Sequence, residues 1–199
     1  MGRRNLHTKE ALKELILQAS YDIINEEGFK DLTARKIAAR IGYTAGTLYH
    51  TFESLDDIVL HLKSRALDKF EASFNDFVGQ SSFSVKGFFE FYVNYCLNHH
   101  QDWSLLCEKH LTKTAFPTWY LEKVSSLFRL IVVHTAEYTN YDFEAAEKFT
   151  KKMWSAIQGV CFLSIDGKFK IITESDRQQM IESFTIMFEA DIQKEKVTA

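Results

Sequence analysis

Thr44, Thr47, Tyr49 and His50 place two small hydroxyls, a phenol and an imidazole within one short stretch of the chain. None is a strong acid or an activated nucleophile. Together they are a row of compact donors and acceptors, the chemistry that reads base edges and phosphates. Ala45 and Gly46, between them, are small enough to let a helix backbone approach another molecule closely. The elements that must position these groups are legible on either side. Thr33 can cap a helix whose apolar stripe is Leu32, Ile37, Ala38 and Ile41. Gly42 falls where the backbone needs a tight or left-handed turn. Thr44 then caps a second helix, Ala45 to about His50, with Leu48 facing inward. Two short helices about a glycine turn form a helix-turn-helix, whose second helix lies in the major groove of DNA. Arg35 and Lys36 occupy the first turn of the first helix, where side chain and backbone N–H can meet a phosphate together. Arg3 and Arg4 precede all of this, and both a minor-groove arm and a solvated tail fit them.

Other chemistries find little support. The chain has no G-x-S-x-G, no phosphate-binding G-x-x-x-x-G-K, no G-x-G-x-x-G and no H-E-x-x-H, so neither an enzyme nor a cofactor site is expected. The acid pairs Glu26-Glu27 and Asp56-Asp57 fall at helix ends, where capping and the helix dipole account for them. His99, His100, Cys107, Glu108 and His110 cluster loosely but without an H-x₃-H or C-x₂-C pair, so no metal site is predicted. Cys96, Cys107 and Cys161 are odd in number and unpaired in spacing, which predicts reduced thiols and a cytoplasmic setting. No apolar run is long enough to span a bilayer, and the basic N-terminus lacks the apolar segment of a signal peptide.

The 199 residues include one proline and eight glycines and are 46% hydrophobic, a composition for long helices around a sizeable core. An all-α fold is expected. Net charge is −3, but residues 1–52 hold eight basic and six acidic side chains while the remaining 147 hold 16 and 21. A mildly positive head on an acidic body suits docking on phosphate through one end. Helical spacing predicts a DNA-binding head over residues 1–53, with its first helix from Thr8 to Glu27. A connecting helix follows over 54–79, then a body over 80–199. The body helices are expected at about 84–99, 101–113, 117–139, 142–166 and 174–195. The last two are apolar on two sides: Ala146, Phe149, Met153, Ile157 and Val160 form one stripe, and Thr150, Trp154, Cys161 and Ile165 another. A helix apolar on two sides must be buried on two sides. A homodimer is therefore expected through Met153, Ile157, Val160, Met180, Phe184, Met187 and Phe188. The density of aromatics allows either a packed core or an apolar cavity, with Phe91, Tyr95, Trp103, Trp119, Phe128 and Trp154 as candidate lining.

The segment Gly42-Tyr-Thr-Ala-Gly-Thr-Leu-Tyr-His-Thr-Phe52 resembles the recognition segment of TetR-family regulators, roughly G-[VY]-[ST]-x-G-[TSA]-[LI]-Y-x-[YH]-F. Gly28-Phe-x-x-Leu-Thr33 and the following Ile37-Ala38-x-x-x-Gly42 match the rest of that head in order and spacing. Leu55 departs from the pattern, which usually has a lysine there. Trp154-x-x-x-Gln158-Gly159 is similar to the W-x-x-x-H-G signature of one group of such C-terminal domains, with Gln158 in place of histidine. The resemblance implies an all-helical dimeric repressor that holds a palindromic operator and is released by a small effector entering the body. Two other readings are compatible with the residues. One is a constitutive dimeric DNA-binding protein with no effector pocket, the other a small-molecule-binding helical protein whose head is degenerate.

Overall fold

Each early helix begins on a residue that can cap it. Thr8 Oγ1 accepts the Ala11 N–H at 3.2 Å and starts α1 (Lys9–Glu27). Thr33 does the same for α2 (Ala34–Ile41), Thr44 for α3 (Ala45–Tyr49) and Ser84 for α5 (Val85–Asn98). Each such oxygen satisfies one of the N–H groups a helix start leaves without a partner. The long α4 (Leu55–Gln80) opens with Ser54 Oγ accepting from the Asp57 N–H, while Asp57 accepts from the Glu53 N–H. The remaining helices are α6 (His100–Cys107), α7 (Thr118–Thr139), α8 (Phe143–Ile165) and α9 (Glu174–Thr198). The computed structural model describes residues 8–107, 116–165 and 172–198, and among these the fold is all-helical, with a single 3₁₀ turn at Phe29–Asp31. No helix among the described residues is long and apolar enough to cross a membrane.

The chain divides into two compact units: residues 1–66 with 104–120, and residues 67–103 with 121–199. The division falls within α4, between Ala66 and Leu67, and assigns residues 104–120 to the N-terminal unit. In that first unit Ile16, Leu17, Ile23, Ile37, Leu48, Ile58 and Leu62 are buried together with Leu105. Leu55 packs half-buried against this core, a place its apolar side chain suits and a lysine's charge would not. Arg65 holds both carboxylate oxygens of Glu14, tying α4 to α1. Buried Lys63 donates to the Leu106 carbonyl at 3.2 Å, a cation placed at the C-terminal end of α6.

The second unit is built on aromatic rings. Phe74, at its centre, meets Phe83, Phe88 and Phe91 edge-on, and Phe70 meets Tyr92 and Tyr95 at 5.6 and 4.9 Å between centroids. Phe149 of α8 packs on Phe188 of α9 at 5.2 Å. The residues expected at a dimer interface take different places in this packing. Met153, Ile157, Val160 and Phe188 lie within the unit's own core, and Met180 and Phe184 are half-buried. Of the seven, Met187 alone is well exposed, at 59%. The outward face runs instead through Ser155, Gly159, Phe162 and Leu163 of α8 and Ser183, Ile186, Met187 and Ala190 of α9. Helical periodicity finds an apolar stripe but does not say which side its own domain takes.

Candidate functional site

The helix-turn-helix is assembled by local backbone bonds. Gly42 adopts φ 73° and ψ 28°, and around it the Tyr43 N–H reaches the Ala38 carbonyl at 2.9 Å while the Gly42 N–H reaches Ala39 at 3.3 Å. That pair of bonds is a Schellman stop, and its left-handed residue favours glycine. It turns the chain sharply into Thr44, whose Oγ1 accepts the Thr47 N–H at 3.3 Å and lies 3.0 Å from the Thr47 hydroxyl. Buried Leu48 and Phe52 anchor α3 to the core. What remains outside is Thr44, Gly46, Tyr49 and His50, with Ala45 and Thr47 half-buried at the edge. Tyr49 is 51% exposed, so its ring and hydroxyl are offered to the outside.

Gly46 adds a separate observation. Its φ is ordinary, and a Cβ built there would meet only the Thr44 Oγ1, at 3.8 Å. Nothing inside the protein requires glycine at this position, although glycine weakens a helix. The backbone at Gly46 is left bare towards the outside.

The expected phosphate contacts divide. Arg35 is exposed and makes no ion pair among the described residues. Thr33 is exposed, with its oxygen spent on the Lys36 N–H at 3.2 Å. Lys36 is not a free cation: its ammonium lies 2.7 Å from both Asp31 and Glu27, and these hydrogen bonds raise its pKa. A phosphate could engage it only in competition with two carboxylates. Its visible role is to hold the start of α2 against the end of α1, a role shared by Arg40 through Glu26 at 2.6 Å. Arg3 and Arg4 lie outside the described residues.

In the second unit the six candidate lining residues do not form one set. Trp119 belongs to the first unit, where its ring lies 5.0 Å from that of His61. Phe91 stacks on Phe77 at 4.9 Å, and buried Tyr95 packs between Phe70 and His99. Phe128 and Trp154 instead lie near Tyr92, a body aromatic outside the six candidates. The Trp154 indole N–H donates to the Tyr92 hydroxyl at 3.0 Å, and that hydroxyl donates to Gln158 Oε1 at 2.5 Å. Burial pushes the Tyr92 phenol far above its ordinary pKa, so it stays a neutral donor. Phe128 lies over Trp154 at 5.8 Å. The Trp154-x-x-x-Gln158 spacing was the available signal, since residues four apart share a helix face. The partner, 62 and 66 residues away, left no local trace.

Comparison with known proteins agrees with this geometry. No protein of curated function matches the chain in sequence. Among solved structures, the chain is similar to a protein of unknown function from Rhodococcus sp. RHA1, with a TM-score of 0.70 and 15% identity over 94% of this chain and 97% of that one. A TetR-like transcriptional regulator from the same organism gives 0.61 and 17%, over 92% and 98%. The multidrug binding protein EbrR, solved with imidazole, gives 0.62 and 16%, over 87% and 92%. At these identities what is shared is the fold. Residues 16–62, which span the capped helices, the Gly42 turn and the start of α4, match the family of bacterial regulatory proteins called tetR. That segment, the helix-turn-helix head, is what the chain shares with the tetR family.

Proposed function

We propose that the protein is a homodimeric repressor that holds a palindromic operator and is released by a small, largely apolar effector. The observation that carries the DNA-binding part is the outward face of α3. Thr44, Gly46, Tyr49 and His50 are exposed on a helix that two caps and a left-handed glycine fix in place. Preorganised short donors on a rigid helix suit major-groove readout, and Arg35 at the start of α2 suits a flanking phosphate. Dimerisation is supported by the apolar residues left outside on α8 and α9, Phe162, Leu163, Ile186 and Met187. A second copy related by a two-fold axis would cover them and repeat the head for the second half-site, about 34–36 Å away. The effector reading draws on the uncharged aromatic interior of the second unit and on the shared fold with a multidrug binding protein. A ligand can release DNA only through different affinities for the two arrangements of the dimer.

A gel shift on genomic fragments, with the selected operator then titrated, tests the reading. Thr47→Ala and Tyr49→Ala should each weaken specific binding by about 1–3 kcal/mol. Wild-type affinity in both variants would remove α3 from the interface. Ile186→Glu should give monomers by light scattering and poor operator binding, whereas a monomeric wild type would sink the dimer.

One observation favours the second reading, a constitutive dimer without an effector. The rings of the second unit pack directly on one another, and a groove of about 320 Å³ between α5 and α9 is bordered by Lys86, Glu90, Glu174, Arg177 and Glu182 rather than by rings. Failure of every apolar compound in a screen to raise the melting temperature would select it.

A further inference from the structure

Eight lysines and arginines lie in the described part of the first unit, and four are spent on the protein itself. Lys36 and Arg40 pair with Glu26, Glu27 and Asp31, Arg65 holds Glu14, and buried Lys63 donates to the Leu106 carbonyl. Lys9, Lys13, Lys30 and Arg35 make no ion pair among the described residues. Of these, half-buried Lys13 is held in place by an aromatic ring. Its ammonium lies over Phe52, 5.6 Å from the ring centroid, a cation–π contact. Phe52 is 2% exposed, and it closes α3: its N–H and that of Thr51 both reach the Leu48 carbonyl at 2.9 Å. His61 of α4 meets the same ring nearly at right angles, at 5.3 Å between centroids. In this way α1 brings a cation to the turn between α3 and α4, three residues beyond Tyr49.

Stability does not call for that charge. Lys9 and Lys13 are four residues apart on α1, and like charges at that spacing repel. Both lie towards the positive end of the helix dipole, where an acid is favoured. A methionine would cover the Phe52 ring without either cost. We propose that Lys13 is a contact to the DNA backbone, a cation that α1 supplies beside the C-terminal end of α3, as Arg35 supplies one at the start of α2. Contacts of this kind set the register of a protein on the duplex and read no sequence. A lysine already packed on a ring also gives up less side-chain freedom to a phosphate than a fully solvated one. This inference rests on the reading of α3 as the DNA-binding helix and adds a residue from outside the helix-turn-helix to that interface.

Lys13→Met keeps an unbranched apolar stem over the ring and removes the charge, and Lys13→Arg keeps the charge. Fluorescence anisotropy gives the affinity of the full chain for its selected operator and for an unrelated duplex as salt is raised from about 50 to 200 mM. Lys13→Met should weaken both duplexes by the same factor and flatten the log–log dependence of affinity on salt by about 0.9 for each head bound. Lys13→Arg should keep the wild-type slope. So should Lys152→Met, which removes an exposed lysine of the second unit that makes no ion pair among the described residues. An unchanged slope in Lys13→Met, or a loss confined to the operator, would overturn the proposal. A second measurement uses the wild type alone: reductive methylation of its lysines, with and without the unrelated duplex, read by mass spectrometry. DNA should shield Lys13 and leave Lys152 as reactive as before, and equal modification of Lys13 in both samples would also overturn it. Tyr49→Ala in the same titrations separates this inference from the reading it rests on. A flattened slope in Lys13→Met, with operator preference untouched in Tyr49→Ala, upholds Lys13 and removes readout by α3. An unchanged slope, with preference lost in Tyr49→Ala, does the reverse. A wild type that binds neither duplex overturns both.

Discussion

The two units carry their candidate sites in opposite ways. In the first, the capping and backbone hydrogen bonds that shape the start of α2, the Gly42 turn and α3 join residues at most five apart, and the groups offered to a partner point outwards. In the second, one buried hydroxyl joins residues 62 and 66 positions away, and the groups face inwards. The first unit holds a rigid surface whose shape is nearly independent of what touches it. The second concentrates polar chemistry where any change must move packed rings. A regulator needs both, one surface that reads and one interior that can be altered.

The sharpest way to break this contrast is to remove the anchor under the reading surface. Leu48 is fully buried and is the residue by which the five-residue α3 holds to its core. Leu48→Ala should cost about 2–5 kcal/mol, from lost burial plus the cavity left behind. Hydrogen exchange should show the loss in the first unit, and operator binding should fall with it. If α3 stays protected and binding persists, the head is held by something other than its core.

The same contrast explains what could be read from the chain. The caps Thr33 and Thr44 and the left-handed Gly42 act over three to five residues, so residue type and position were enough to place them. Leu55 and Lys36 show the limit even there. Whether a side chain meets core, carboxylate or solvent depends on which helix comes to lie beside it, and Glu27 and Asp31 are near Lys36 only in the folded head. In the second unit the helices were legible within a few residues, but their facing was not. Met153 and Ile157 sit inward while Ile186 and Met187 sit outward, although all four are large and apolar. Tyr92 looked like one aromatic among many. Only the approach of α8 to α5 makes it the acceptor for Trp154.

A smaller effect should follow from deleting that one oxygen. Tyr92→Phe keeps the ring and its contacts with Phe70 and Phe88 but takes the acceptor from the Trp154 N–H and a donor from Gln158. The expected loss is about 1–3 kcal/mol, confined to the second unit. It should appear as faster exchange in α5 and α8 and as altered tryptophan fluorescence, with the first unit as protected as in the wild type. Equal loosening of both units would mean that the effect of the Tyr92 hydroxyl is not local to the second.

The smallest change separates stability from reading most cleanly. Gly46 lies in α3 with ordinary backbone angles, and an added Cβ would touch only the Thr44 oxygen at van der Waals distance. By helix propensity alone, Gly46→Ala should stabilise the head, by about 0.5–1 kcal/mol. If the bare backbone at Gly46 is where a partner comes close, the same methyl group should stand in its way. The expected result is a protein that melts no lower than the wild type and binds its operator less tightly. A variant both more stable and fully competent would show that no partner approaches α3 at Gly46. The reading face would then be confined to the side chains of Thr47, Tyr49 and His50.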